Sequence, residues 1–473
     1  MPELRRLAAD LINRPVVGTP NIDAVQARAA RYRQRRATQL SAAAVALMLV
    51  LGLVGVGLVD GDGAGSSRLR AADGGDLPVD PSTVTLPTVP GGLPGATTTT
   101  TAGSPASTTT STTSTTVGQP GPSPTPDPCP GGQNAGATDV GVTATQVTVS
   151  VSQETMSYVS GYVNRINSEG GVCGRRIVLV TQGEEFVHIP SLTTSGDRDT
   201  VVPVIGGDGA VKGQYESAWT WQIGSTTAAQ ARMMVKDAWD QGARTFAIVY
   251  EKDVRFGTEA EAAYRAYVGQ LGGTVVTSVG VAPNQGSYAS NVNAFNDVCS
   301  DGKCDEVALF LQPYAARGWM AEDPIGGRMF TDAGHMLVSS RFARDCGQPC
   351  EGLRLWSPWS LPVGERNADM SQYVTDVKAA NPGTEVDDAQ GVRSWLAARL
   401  LVDSLRATGA NLTRARLQSS LNSLTFSTGL APPMRWSTKR YANISARPYA
   451  VRTAAGAFSG FSYDGTFRHD PRP

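Results

Sequence analysis

Residues 128–473 predict an α/β protein of two lobes with parallel sheets, and three observations carry that reading. From residue 141 onward, short apolar runs alternate with amphipathic stretches of helical length, the pattern of strands joined by crossover helices. About 345 residues lie in this part, more than one hydrophobic core usually serves, so two lobes are expected. Residues 161–181, GYVNRINSEGGVCGRRIVLVT, read as a helix end, a double-glycine stop, a tight turn and a strand. There Tyr162, Val163 and Ile166 share one helix face. Gly170 and Gly171 supply the left-handed backbone that ends a helix, and Gly174 turns the chain into Ile177–Val180.

In chain order, the expected strands are Val147–Val151, Ile177–Val180, Val201–Ile205, Thr245–Tyr250, Thr274–Val279, Glu306–Leu311 and His335–Ser339. Helices are expected at 226–241, 257–271, 287–298 and 313–320, and then at 368–380, 388–407 and 413–423. Gly409 fits the C-cap of the 388–407 helix and Thr413 the N-cap of the next.

The front of the chain is of another kind. Residues 37–59 hold no charge over 23 positions, a helix of roughly 35 Å against an apolar bilayer core of about 30 Å. Residues 1–36 carry eight arginines against Glu3, Asp10 and Asp23, while Asp60 and Asp62 follow the apolar run. The positive-inside rule therefore expects a single-pass cell-membrane protein, with residues 1–36 cytoplasmic, a transmembrane anchor at 37–59 and the bulk of the chain extracytoplasmic. The alternative is a cleaved signal peptide. The length of the apolar run, the long basic segment and the poor cleavage site at Arg70-Ala71-Ala72 favour the anchor. Residues 60–127 are rich in Thr, Ser and Pro; they cannot bury enough apolar surface to fold and read as a disordered linker with a reach of about 45 Å. The Arg28–Arg36 cluster is an orientation signal, and nothing in the chain points to a nucleic-acid partner.

All six cysteines, Cys129, Cys173, Cys299, Cys304, Cys346 and Cys350, fall beyond the anchor. An even number on the oxidising side favours disulfides. Locality pairs Cys299 with Cys304 and Cys346 with Cys350, leaving Cys129 with Cys173, among fifteen possible connectivities. A zinc site from the CSDGKC and CGQPC segments is the competing reading, and the compartment disfavours it.

The helix-end string followed by GGVCGRRIVLV resembles the first helix-to-strand junction of the extracytoplasmic solute-binding proteins of branched-chain amino-acid ABC transporters. Further segments resemble that family in order: VTATQVTVSV its opening strand, VPVIGGD the last first-lobe strand before the crossover, ARTFAIVYEKDVRFGTEAEAAY the start of the second lobe, and QGVRSWLAARLLVDSLRATGANLTRARLQSSLNSL its late helix pair. The resemblance covers about 141–455 and implies two doubly wound lobes of the type I periplasmic-binding kind, closing on a solute by hinge motion. One stretch departs from the family. Between Val180 and Val201 it has a helix, a strand and usually another helix, whereas this chain has only TQGEEFVHIPSLTTSGDRDT. The first lobe is therefore expected to be shortened, with the loss of loops that hold a solute's carboxylate in the family.

Ligands of α/β sheets bind at the C-terminal ends of strands, so the candidate binding residues are Glu154 and Asp208 in the first lobe. In the second they are Asp253, Gln312, Tyr314, Ser339, Ser340 and Arg341. Tyr314 falls where the family often has an aromatic over the ligand. Ser339, Ser340 and Arg341 replace an acidic residue that commonly meets the ammonium group, and a cation there suits a carboxylate better. Set against these readings, Tyr314 could simply pack at a helix start, Arg341 could be solvated, and Asp208 could be a turn residue between glycines. Trp219, Trp221, Trp356 and Trp359 could line a cleft, though packing accounts for them better.

No enzymatic motif is present: G-x-S-x-G, H-E-x-x-H and the P-loop lysine motif are all missing, and His188, His335 and His469 have no acidic partner fixed by spacing. The expectation is a non-enzymatic, membrane-anchored solute-binding protein without cofactor or metal. It would capture an amino acid or related carboxylate for ABC uptake, with a permease as partner, or for sensing. The alternative is a degenerate binding fold, without ligand, serving as a cell-surface interaction module.

Overall fold

The computed structural model describes residues 129, 133–191, 202–207, 217–323, 329–332, 337–364, 367–436, 445–463 and 466–471. The expected anchor at 37–59 and linker at 60–127 lie outside them. Among the described residues no helix is long and apolar enough to cross a membrane.

The chain opens with β1 (Gln146–Val151), α1 (Met156–Ser168), β2 (Arg176–Val180), β3 (Val187–Ile189), β4 (Val204–Gly207) and β5 (Thr220–Gln222). Next come α2 (Thr227–Asp240), β6 (Thr245–Glu251), α3 (Arg255–Leu271), β7 (Thr274–Val281), α4 (Ala289–Cys299) and β8 (Glu306–Phe310). They are followed by α5 (Pro313–Glu322), β9 (Met329–Asp332), α6 (Ser340–Cys346) and β10 (Arg354–Ser357). The last stretch holds α7 (Ala368–Ala380), α8 (Ala389–Thr408), α9 (Arg414–Ser423), β11 (Thr425–Thr428), β12 (Ala431–Arg435), β13 (Ser445–Ala454), β14 (Ala457–Tyr463) and β15 (Arg468–His469).

Two sheets define two lobes. The first lobe's sheet has the order β2-β1-β3-β4-β5, with every pairing parallel. In the second lobe the order is β14-β13-β10-β9-β8-β6-β7; β6 to β10 are parallel, and β13 and β14 are added antiparallel at one edge. Helices α1, α7 and α8 pack together on the first sheet, while α2 and α3 pack on one another against the second. The chain leaves the first lobe after β5, returns after β10, and leaves again after β12. Two indoles tie these crossings together: Trp359 Nε1 donates to Ile223 O at 3.2 Å and Trp436 Nε1 to Gln222 O at 2.7 Å.

The helix starts follow from their caps. Asn367, Asp388 and Thr413 accept backbone N–H groups of the first turns of α7, α8 and α9, satisfying donors that a helix start leaves open. Helix α8 is buried on nearly every side, its arginines included. Arg399 pairs with Asp369 and Asp403, the pairing that a buried guanidinium needs to offset its desolvation. At the double-glycine stop, Gly171 sits at φ 77° and a Cβ there would lie 2.1 Å from Arg175 O. Only glycine fits that turn.

Four expectations need correction. Of the strand expected at 335–339 only 337–339 lie in the described set, and they form none; the described strand nearby is Met329–Asp332, and Ser339 makes only an isolated bridge to Asp388. What ends the extended run is the N-terminus of α6, which Ser339 precedes directly. The strand expected at 201–205 is shifted to Val204–Gly207, because the ladder with β5 continues to Gly207 past a bulge at Gly206. Ser339–Arg341, read as a strand-end loop, includes the first two residues of α6. The stretch after Val180 is expected to lack the third strand as well as the helices, yet Val187–Ile189 form β3, paired parallel with β1 and β4; the shortening that is seen is the link 181–186 between β2 and β3, which holds no helix. The cysteines pair as Cys129–Cys173, Cys299–Cys304 and Cys346–Cys350, which removes the thiolates that a zinc site would need.

Candidate functional site

In both lobes the C-terminal strand ends gather the polar side chains, as parallel α/β sheets dictate. On the second-lobe wall, Glu251 closes β6 and is 1% exposed. Its carboxylate accepts from Gln312 N–H at 3.0 Å and from Gln312 Nε2 at 2.9 Å, so the ends of β6 and β8 are locked together. Two residues on, Tyr314 stands in the first turn of α5 with 52% of its surface exposed. Tyr288, at the start of α4, is buried; burial first, then the charges of Glu251 and Tyr314, push its hydroxyl above the usual phenol range. Asp253 is exposed in the loop after β6.

The first-lobe wall begins where β1 ends. Ser152 Oγ accepts Ser191 N–H at 2.9 Å, closing the ends of β1 and β3 on each other. Glu154 is exposed on the single 3-10 turn that follows. At the end of β4, Gly206 has φ 86°, and a Cβ there would lie 2.2 Å from Ala397 Cβ; its carbonyl accepts from buried Arg393 Nη1 at 2.5 Å. Asp208 lies outside the described residues.

A third group joins the walls. Ser339 and Ser340 are buried and Arg341 is exposed. Ser340 Oγ is 2.8 Å from both Glu385 Oε2 and Asp387 Oδ1, and Arg344 pairs with Glu385. Asp388 caps α8 through Gln390 N–H and Gly391 N–H, and burial holds its carboxyl above the usual range. Tyr158 of α1 packs against Gly391. Its hydroxyl is pushed up by burial, then by Asp388, Glu385 and Asp387, with Arg341 acting in the opposite direction. Sequence reading missed Tyr158 and the 385–388 loop. The signal was slight: Glu385, Asp387 and Asp388 cluster before a helix start, but the serine they meet is 45 to 47 positions away.

The other singled-out residues serve packing. Trp221, Trp356 and Trp359 are fully buried and Trp219 is half-buried. His188 Nδ1 lies 2.7 Å from Ser150 Oγ and His469 Nδ1 2.7 Å from Ser445 Oγ, while His335 is outside the described residues. Among the described residues, no group of three or more His, Cys, Asp or Glu could hold a metal ion.

The sequence profile of the periplasmic binding protein family matches residues 197–456. The chain belongs to that family. The match begins beyond β3, leaving outside it the opening strands of the lobe that is shortened here. No curated protein sequence matches the chain. Solved structures do match. A fatty acid ABC transporter substrate-binding protein from Thermomonospora curvata is 17% identical with a TM-score of 0.58, covering 72% of this chain and 96% of its own. A solute-binding protein of an R. palustris ABC transporter, in complex with 4-hydroxybenzoate, is 15% identical with a TM-score of 0.57, covering 69% and 97%. A leucine binding protein from Thermotoga maritima is 12% identical with a TM-score of 0.54, covering 67% and 98%. At such identities the structural likeness establishes the fold, the type I periplasmic-binding fold with parallel sheets. The helix–glycine junction at 161–181 lies outside the matched residues 197–456. The family is one of substrate-binding proteins.

Proposed function

We propose that this periplasmic binding protein is anchored in the cell membrane through residues 37–59 and captures a small organic carboxylate between its lobes for an ABC permease. The observation that carries the capture step is Tyr314. It is an exposed aromatic at the strand-end rim, two residues from the Glu251–Gln312 lock that fixes its helix start. Leucine, 4-hydroxybenzoate and fatty acids, the compounds named with the neighbouring structures, all combine an apolar body with a carboxylate. Tyr314 offers a face for the former, and Arg341, an exposed cation of the same lobe, offers a donor fork for the latter.

The test starts from a thermal-shift screen against amino acids, aromatic acids and short fatty acids; a hundredfold excess over Kd stabilises the folded state by about 2.7 kcal/mol. Calorimetry with the hit should then show Tyr314→Ala and Arg341→Ala each weakening binding by roughly ten- to a hundredfold. Unchanged affinity in both variants overturns this placement. The reading as a ligand-free interaction module is favoured by the first lobe's missing helix and by the direct bonds between lobes at Ser340. A screen without any hit decides for it.

A further inference from the structure

The two lobe sheets end in four edge strands, β2 and β5 in the first and β14 and β7 in the second. An edge strand invites pairing with another chain unless something blunts it. Three of the four are blunted. On β2, the Asn167 side chain takes both backbone groups of Ile177, donating to its carbonyl at 2.9 Å and accepting its N–H at 2.8 Å. Strand β5 is only three residues long and wholly buried. In β14 the register shifts opposite Arg452 and Thr453, and Gly460 takes φ 147°, so its free backbone is broken in the middle.

The fourth edge, β7, is bare. Its eight residues, TVVTSVGV, hold no charge and no proline, and β6 is its one paired neighbour among the described strands. Two backbone bonds set which groups face outward. Thr274 N–H donates to Arg244 O and Lys252 N–H to Val281 O, each at 3.0 Å. Val281 therefore faces β6, and by alternation Val279 and Thr277 do too. The register shift of this pair lies before Thr277, opposite Phe246 and Ala247. Ser278 and Gly280 thus turn their N–H and C=O groups away from the sheet, and no described group bonds to these backbone atoms. The free run stops at Ala282, whose N–H is taken by Gln285 Oε1 at 3.2 Å.

The surroundings suit a second copy of the chain. At the two open positions the side chains are a hydroxymethyl group and a hydrogen, so another backbone can come close. From α3, Glu261 accepts from Ser278 Oγ at 3.0 Å and from Arg265 Nε at 2.8 Å, which brings both signs of charge to the edge. A two-fold axis then sets each acid near the other copy's arginine, with no net repulsion. Helix α4, which packs on β7, shows Asn293, Ala294, Asp297 and Val298 to solvent. Asp297 is the one charge there, and Val298 is among the few large apolar side chains left exposed.

We propose that β7 is a homodimer interface, in which two copies pair their β7 strands antiparallel over Ser278–Gly280 and join their second-lobe sheets into one. A two-fold axis through Val279 sets Ser278 of each copy opposite Gly280 of the other, and each such pair exchanges both backbone bonds. The pairing involves no residue of the candidate solute site.

The test is sedimentation of the full chain in mild detergent at micromolar concentration, where a dimer is expected. Ser278→Pro removes an N–H that β6 does not use, a place where an edge strand tolerates proline. It should leave the circular dichroism spectrum unchanged and yield a monomer. Val279→Cys gives a second reading that does not depend on proline being accepted. Across the axis the two Val279 Cα atoms would lie about 4.5 Å apart as a non-hydrogen-bonded pair, within the span of a disulfide. Mild oxidation should then give a covalent dimer, whereas Thr274→Cys, away from the axis, should not. A monomeric parent chain overturns the interface. So does a dimer that Ser278→Pro leaves intact, or equal cross-linking at positions 279 and 274, since residues 37–59 or another surface would then hold the copies together.

Discussion

Gly161 shows how narrow some positions are. It lies inside α1, where alanine would normally gain about 0.5–1 kcal/mol of helix stability. A Cβ at this glycine would stand 2.0 Å from Asp376 O, a backbone atom of α7, so the two helices approach over a bare backbone. On the same face, Asp376 accepts from Trp395 Nε1 at 2.9 Å and pairs with Arg165, which ties α7 down against retreat. Gly161→Ala should therefore destabilise, since overpacking of about 1–3 kcal/mol exceeds the helix gain. Urea unfolding of both proteins checks it. A variant as stable as the parent would show that α7 moves freely, contrary to the Asp376 anchoring.

At the scale of elements, what the sequence conveyed was local chemistry. Helix α7 is found at Ala368–Ala380, as expected, because Asn367 caps it and the 368–380 run keeps one apolar face. Helix α8 begins one residue after its Asp388 cap and stops at Gly409. The segments that went unread are those whose signal is not local. Strands β3 and β5 are three residues each and wholly buried, so no alternation marks them. β13 carries Pro448 within a ten-residue strand, which demotes it by pattern. The candidate site divides the same way: Gln312 and Tyr314 are next to a legible strand end, whereas Ser340 meets acids that only the assembled lobes bring near. Disulfides connect elements on both ranges. Cys129–Cys173 spans a separation of 44 residues, against 5 and 4 for the other two. Loop-closure entropy then assigns about 4 kcal/mol to the long one and about 2 kcal/mol to each short one. Denaturation of the Cys129→Ser, Cys173→Ser variant should show the larger loss, and equal losses for all three pairs would refute the entropic account.

Across the whole molecule, the start of the described part lies at the other end of the first sheet from the candidate site residues. Arg175 is fully buried and donates to Gly136 O at 2.8 Å, Thr143 O at 2.8 Å and Ala410 O at 3.0 Å. Together with the Cys129–Cys173 bond, it clamps the entering chain beside the N-terminal ends of β1 and β2. The site residues stand at the C-terminal ends, about 20 Å away along a six-residue strand. If residues 60–127 are a tether, a pull on it is borne by a disulfide and a buried guanidinium, away from the candidate site residues. If residues 37–59 anchor the chain, protease cleavage within 60–127 should release a soluble fragment whose melting temperature and solute affinity match those of the intact protein. A reporter fused after Pro473 should be active only outside the cytoplasm. A soluble form beginning near residue 72 without added protease would instead mark 37–59 as a cleaved signal. A released fragment that melts lower would show that the front of the chain contributes to the fold, and that the clamp at Arg175 does not isolate the two.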